Sequence, residues 1–329
     1  MIVTPEVERD TAHHKRTNSV ENTGRVTAII INWRLKEETL GCAQALARQS
    51  VPCRVIVVDN GSGDNSVHYL TQTLPEATII GLSRNVGFGP ACNYAIRHHV
   101  LAQNVAQSSA SNHDFVLLVN NDARLAPDAV AELVKAAQQH PQAGLLGAKV
   151  YYSDRPNILW YAGARRRRAV LAATQTGRGE RDHGQFDQRQ EVDYIFGAAI
   201  LIRSSVFQTI GLFDERFFLY LEDLDFCLRA QQAGYLLRFV PQAHAWHKGA
   251  ASTNDQPALR RYHMAKSTIH FLRKHTTYRH SVPIFCFWIL VYVRTILADL
   301  LRGDLQIIKA YLAGLRCGLR ETREVEGAP

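Results

Sequence analysis

Phe115-Val116-Leu117-Leu118-Val119-Asn120-Asn121-Asp122 is the stretch on which the fold of this chain turns. Five apolar residues bounded by polar ones have the pattern of a strand buried on both faces of a parallel sheet. The strand runs out into a carboxylate, and a charge at the end of a buried strand is costly unless something pairs with it. A divalent cation carrying a pyrophosphate is one such partner, because hard cations take oxygen ligands and share them with substrate phosphates.

Upstream, short β-rich runs alternate with helix-like stretches from Arg25 to about Leu145. Strands are expected at 26–31, 55–58, 78–81 and 115–119, and helices at 35–49, 66–74, 89–100 and 127–139, the last opening on Pro127. This is the pattern of an α/β, Rossmann-like, mostly parallel central sheet flanked by helices, and such sheets bind ligands at the carboxyl ends of their strands. The second of these strands ends in Asp59-Asn60-Gly61-Ser62-Gly63-Asp64. Asp59 there either accepts hydrogen bonds from a base or ribose or belongs to an ordinary Asx/Gly turn. The third is followed by Arg84-Asn85-Val86-Gly87-Phe88-Gly89. Its glycines allow a ligand close to the backbone, and the helix after it opens with free amides that can meet an anion.

Taken together, Ile29-Ile30-Ile31-Asn32-Trp33, Val57-Val58-Asp59-Asn60-Gly61-Ser62, Asn85-Val86-Gly87-Phe88-Gly89 and Leu117-Leu118-Val119-Asn120-Asn121-Asp122 resemble the family 2 glycosyltransferases, enzymes of the GT-A fold. The resemblance covers roughly Val26 to Ser252 and is greatest to the bacterial rhamnosyltransferase branch that builds cell-surface polysaccharides. It implies that Asn32, Asp59, Asn60, Arg84, Asn85, Gly87, Asn121 and Asp122 bind the nucleotide sugar, with Asp59 at a uracil- or thymine-type base and Asp122 as a metal ligand. The family's metal motif is often Asp-x-Asp; here Asn120 fills the first acidic position.

In the second half, 194–203 reads as a glycine-containing loop leading into an apolar strand, and 204–210 as a short helix. An aromatic-rich lead-in then ends in Glu222, Asp223 and Asp225 at the start of a helix running to Ala233. Acids favour a helix N-terminus through capping and the dipole. Like charges held close also raise one another's pKa, which helps make a carboxylate able to take a proton near neutral pH. The resemblance implies that Asp223 is the catalytic base of an inverting single displacement, with Glu222 and Trp246 at the acceptor. It further implies, from the spacing of His247 and Ser252, that His247 is a second metal ligand opposite Asp122, for Mn²⁺ or Mg²⁺. A lone histidine among 14 is otherwise a structural residue.

Composition agrees with a folded enzyme: 329 residues, 46% hydrophobic and 21% charged, can bury one large core or two modest ones. Six scattered cysteines without a CxxC pair indicate neither a disulfide framework nor a structural zinc site and fit a reducing cytoplasm. The formal charge of +8 suits nucleotide diphosphates, lipid pyrophosphates or an acidic leaflet. Arg165, Arg166, Arg167 and Arg168 form one short basic run in a segment extending to Gln190, read either as a solvated loop or as a lid meeting phosphate. No nucleic-acid-reading motif accompanies it.

Residues 1–24 read as a disordered leader without a secretory signal, 25–258 as the catalytic domain (25–145 for the nucleotide, 146–258 for acceptor and catalysis), and 259–329 as a helical extension. Within the extension, ten uncharged and mostly apolar residues, 284–293, are too few for a transmembrane span. A helix on the inner face of the cell membrane, a buried helix and a homodimer contact all remain open for it. The expected partners are a nucleotide diphosphate sugar, dTDP-rhamnose by resemblance, and a glycan or polyprenyl-pyrophosphate-linked acceptor. Two other readings keep much of this pattern. A sugar-phosphate nucleotidyltransferase would want a glycine-rich loop after the first strand, where Asn32-Trp33-Arg34-Leu35-Lys36 has none, and an inactive binding scaffold would not need Asp122, Asp223 and His247 together.

Overall fold

A computed structural model describes residues 25–102, 114–188, 191–249, 256–276 and 281–326. The leader 1–24 and Ser252 lie outside the described residues. Four parallel strands form the first half of one sheet: β1 (Val26–Asn32), β2 (Cys53–Asp59), β3 (Thr78–Gly81) and β4 (Phe115–Asn120). Helices α1 (Lys36–Ala47), α2 (Ser66–Thr73) and α3 (Phe88–Ala95) make the crossovers, α3 running on as a π-helical stretch to Leu101. In β4 the first five side chains are buried, as an apolar run without alternation requires of a central strand.

The remaining strands are β5 (Ala123–Leu125), β6 (Ala143–Tyr152), β7 (Leu159–Tyr161), β8 (Ala164–Arg167), β9 (Ala172–Gln175), β10 (Ala199–Arg203) and β11 (Leu236–His247). The main sheet runs β3-β2-β1-β4-β10-β6-β11-β5, with β7 on β6. Helices α4 (Ala129–Gln139), α5 (Ser204–Ile210) and α6 (Glu222–Gln232) lie between them in the chain, and α7 (Pro257–His275), α8 (Ser281–Leu301) and α9 (Leu305–Glu326) follow.

Two features of this topology place the site. The chain leaves β1 to build β2 and β3 on one side and later returns to build β4 on the other, so β1 and β4 flank a topological switch point where α/β sheets bind ligands. Strand β10 runs antiparallel to both its neighbours, β4 and β6. Its first residue, Ala199, therefore pairs with Val119 near the carboxyl end of β4, and the Asn120 amide donates to the Ala198 carbonyl (3.1 Å). Residues just before β10 thus reach the edge that β1, β2 and β4 reach at their ends.

Several expectations are revised by packing. The fourth helix opens at Ala129 rather than Pro127, whose carbonyl is occupied by the Ser50 amide (2.8 Å). Arg165, Arg166 and Arg167 are not in a loop: they form β8, paired with β9 in a separate two-stranded hairpin. The apolar part of the C-terminal extension is longer than the uninterrupted run of ten suggests. Residues Val282–Leu301 form one helix long and apolar enough, by length and composition, to cross a membrane.

Candidate active site

Asn32, Asp59 and Asn120 close three adjacent strands in register: Asn32 pairs with Asp59, and Ile31 with Asn120. Asn32 and Asp59 are buried and bonded to one another, while half-buried Asn120 meets His247 instead. Asp59 Oδ1 accepts from Asn32 Nδ2 (2.6 Å) and from the Ser62 hydroxyl (2.5 Å), while Oδ2 accepts from the Ser62 amide (3.1 Å). The Thr39 hydroxyl donates to Asn32 Oδ1 (2.7 Å) and receives Asn121 Nδ2 (3.2 Å), so one network runs from Asp59 to Asn121. A network whose every member is satisfied is rigid.

The glycine loop is tied to these strand ends. Asn60 Nδ2 donates to Asn85 Oδ1 (3.0 Å) and to the Gly87 carbonyl (3.1 Å), and Asn60 Oδ1 receives the Val86 amide (2.9 Å). Gly61, at φ +65°, lies so close to the Arg84 backbone that a Cβ there would overlap it. Gly87, at φ +96°, is as tightly placed against the Phe218 carbonyl, which also accepts the Phe88 amide (2.9 Å). The Arg84 side chain is exposed. Donor-side loop and catalytic-half lead-in are thus in direct contact.

Beyond β4, Asp122 and His247 converge. His247 is the last residue of β11, whose antiparallel pairing with β5 sets it opposite Ala123. Its Nε2 lies 3.0 Å from Asp122 Oδ1 and 3.2 Å from Asn120 Nδ2, and both Asp122 and His247 are buried. His247 Nδ1 has no hydrogen-bond partner among the described residues, and Trp160 meets the ring edge-on at 4.6 Å. One carboxylate and one imidazole suit Mn²⁺ or Mg²⁺ whose remaining positions are filled by phosphate and water oxygens. Among the described residues no group of three or more His, Cys, Asp or Glu could hold a metal unaided.

The acidic start of α6 is the most heavily perturbed part of the site. Tyr220 (φ +69°) and Leu221 (φ +68°) both take the left-handed conformation, a strained one for residues with a Cβ, and turn the chain sharply into the helix. Glu222 and Asp223 emerge buried. Asp223 Oδ2 accepts from the Tyr194 hydroxyl (2.8 Å) and the Gly197 amide (3.0 Å), and Oδ1 from the Leu224 amide (2.8 Å). Burial pushes the Asp223 carboxyl above the usual range against the pull of these bonds. Burial, then the neighbouring Asp223 charge, pushes Glu222 up to about 8, and Glu222 Oε2 has no partner among the described residues. A buried pair of carboxyls this close keeps a proton at neutral pH.

The two clusters adjoin through Phe218 at Gly87 and through the β4–β10 contact. A run of rings, His247 to Trp160 to Phe196 to Tyr194, leads to Asp223. Of the residues singled out from sequence, Trp246 is not brought in. It alternates with His247 along β11 and so faces the other way, stacked on Tyr151 (5.9 Å) with Nε1 3.4 Å from the Pro156 carbonyl. Reasoning from sequence missed Thr39, Ser62, Trp160, Tyr194 and Gly197. Ser62 stood in a quoted motif and Tyr194 and Gly197 in the loop read over 194–203, but sheet register, which no local pattern encodes, is what brings them and Thr39 and Trp160 to the site.

The profile of a family described as glycosyltransferase like family 2 matches residues 24–265. The chain is 31% identical over 243 residues to the N-acetylglucosaminyl-diphospho-decaprenol L-rhamnosyltransferase of Mycobacterium tuberculosis, an alignment covering 70% of this chain and 76% of that protein. It is 23% identical over 233 residues to the dTDP-rhamnosyl transferase RfbF of Shigella flexneri, covering 68% and 71%. Among solved structures, the mannosyltransferase PcManGT from Pyrobaculum calidifontis, in complex with GDP-Man and Mn²⁺, superposes with a TM-score of 0.54 at 15% identity, covering 93% of this chain and 76% of that one. The protein belongs to the family 2 glycosyltransferases, in their rhamnosyltransferase branch, and has the GT-A fold.

Proposed function

We propose that this glycosyltransferase moves a rhamnose-type sugar from a nucleotide diphosphate, dTDP first and UDP next, onto a hydroxyl of a cell-surface glycan or polyprenyl-pyrophosphate-linked acceptor, with inversion. The observation that carries this reading is Asp223: a buried carboxylate held by three donors, next to a carboxyl that keeps its proton, at the edge where three strands present the donor wall. The Mycobacterium tuberculosis relative is named for rhamnosyl transfer to an N-acetylglucosaminyl-diphospho-decaprenol and RfbF for dTDP-rhamnose, which supports the substrate class. The setting is the cytoplasmic face of the membrane that carries the acceptor.

In this mechanism Asn32, Asp59 and Ser62 face the base and ribose, and the Asn85–Gly87 turn brings backbone amides to the diphosphate. Asp122 and His247 would hold the divalent cation, which offsets charge on the departing diphosphate. Glu222, protonated near neutral pH, offers its unpartnered oxygen to the acceptor. Asp223 takes the proton from the acceptor hydroxyl as its oxygen bonds to the anomeric carbon. The bond from that carbon to the diphosphate oxygen breaks on the opposite face, and its electron pair leaves with the nucleotide. One displacement needs one base, so no carboxylate nucleophile of the retaining kind is called for.

The test is thermal denaturation with dTDP, UDP, GDP and CMP, each with and without Mn²⁺. Ligand at about a hundred times its dissociation constant stabilises the native state by about 2.7 kcal/mol. The expected outcome is a metal-dependent rise in Tm for dTDP or UDP that Asp122→Ala removes; a Tm unmoved by every nucleotide would defeat the proposal.

A further inference from the structure

Helix α8 has two unlike faces. Ile284, Trp288, Tyr292, Thr295 and Asp299 recur every three or four residues and turn inward. Ile284 is buried, Trp288 Nε1 donates to the Val170 carbonyl (2.8 Å), Tyr292 meets Tyr311 of α9 (6.0 Å), and buried Asp299 accepts from Arg261 of α7 (2.9 Å). The opposite face is Val282, Phe285, Ile289, Val293, Leu297 and Leu300, exposed by 46 to 71%. The helix is thus tied to the protein along one narrow face, and most of its apolar stretch lies outside the core. Were it to cross a bilayer, the body it lies on and the Arg261–Asp299 pair would enter the hydrocarbon with it, and exposed Arg294 would sit near mid-span. A helix lying flat, apolar face down, meets neither objection.

The surroundings of that face are basic. Near its start is the β8–β9 hairpin, whose tip carries Val170, and Arg165 and Arg167, two apart on β8, share one exposed side of it. Near its end, Arg260, Arg294 and Arg302 are exposed, while the cavity of about 340 Å³ between α7, α8 and α9 mixes Arg260, Arg261 and Arg302 with Asp299 and Asp304, Asp299 answering Arg261 and Arg302. An apolar stripe bracketed by guanidiniums is complementary to acyl chains beneath anionic headgroups. We infer that the exposed face of α8, with the arginine hairpin at its start and the exposed Arg260, Arg294 and Arg302 toward its end, docks this protein flat on an anionic lipid leaflet. The hairpin follows Trp160 in the chain within a few residues, and Trp160 packs on His247, so docking would set the catalytic edge beside the surface where a lipid-linked acceptor lies. The inference rests on α8 and its surroundings, independently of the transfer chemistry. Nucleotide binding and membrane binding can therefore fail separately.

The experiment is co-sedimentation of the full chain with vesicles of phosphatidylcholine alone or with about a third phosphatidylglycerol, across ionic strength, with light scattering of the free protein. The expected result is partition to the anionic vesicles that falls with salt and is released by alkaline carbonate. It should drop by about tenfold or more in Phe285→Ser/Ile289→Ser/Val293→Ser and in Arg165→Gln/Arg167→Gln. Both variants should keep the wild-type melting transition, since every substituted side chain is exposed. Wild-type protein left in the supernatant of every vesicle, undiminished binding of the serine variant, or resistance to carbonate would overturn the inference. So would a dimer that the serine variant dissociates, because a second copy would then cover the face.

Discussion

Asp223 and Asp225 stand two residues apart on α6, on faces treated in opposite ways. Asp225 looks back toward α7, with Arg229 Nε at 2.8 Å, Lys274 Nζ at 2.8 Å and His275 Nε2 at 2.7 Å. Burial would raise its carboxyl, but the bonds from His275 and Lys274 and the charges of Arg229 and Lys274 outweigh it and hold the group below the usual carboxylate range. Asp214 meets the end of α7 in the same way, through Arg216, His270 and Lys274. Asp223 looks toward the strand ends, has only neutral donors, and is pushed up by burial. One turn of helix thus carries an anchored carboxylate on one side and, on the other, a buried carboxyl met only by neutral donors. The difference lies in whether cations answer the charge.

That contrast can be broken most severely at Asp223. Asp223→Asn keeps size and several hydrogen bonds but cannot take a proton, so turnover is expected to fall by about 10³-fold with nucleotide affinity nearly unchanged. Steady-state kinetics beside a nucleotide titration would check it, and unaltered turnover would strip Asp223 of its role. Asp225→Asn should do the reverse. Weakening the charge-assisted bonds to half-buried Arg229 and Lys274 and to His275 costs about 2 kcal/mol of stability, measured by denaturant unfolding, while the pH profile of turnover stays in place.

The smallest effect sharpens the comparison through pH. The Glu222 carboxyl is raised from 4.5 to about 8, so between those values the folded state holds a proton that the unfolded chain has lost. Stability from this group is full below the unfolded value and declines as pH rises toward 8. Glu222→Gln removes that slope, so its Tm is expected to gain on the wild type's steadily as pH rises from 4.5 toward 8. Parallel Tm profiles for the two proteins would refute the shifted proton.

Much of the donor side was legible in the sequence because its residues follow strands directly. The runs ending in Asn32, Asp59 and Asn120 announce themselves by hydrophobicity, and the turns after them by Asn, Asp and Gly. The short helix Ser204–Ile210 and the acidic start of α6 were equally plain. What could not be read was pairing. Nothing local says that β10 inserts antiparallel between β4 and β6, and that insertion alone brings the Gly197 amide to Asp223. Alternation along β11 was knowable, yet which of Trp246 and His247 faces the site depends on the partner strand. The arginine run gave no β signal, since charged residues hold a hairpin only where another strand is supplied.

The reversed direction of β10 has a consequence for how such an enzyme can change. Strand β6 ends, and β10 begins, at one and the same margin of the sheet, so the chain between Tyr152 and Ala199 departs and returns without crossing the core. That excursion is stitched back to the sheet along its length: β7 pairs with β6, Lys149 holds Asp182 and Asp187, and the Val192 amide donates to the Leu237 carbonyl (3.1 Å). Between those ties its exposed turns can change length without disturbing β1, β2 and β4, whose ends lie on the other side of β10.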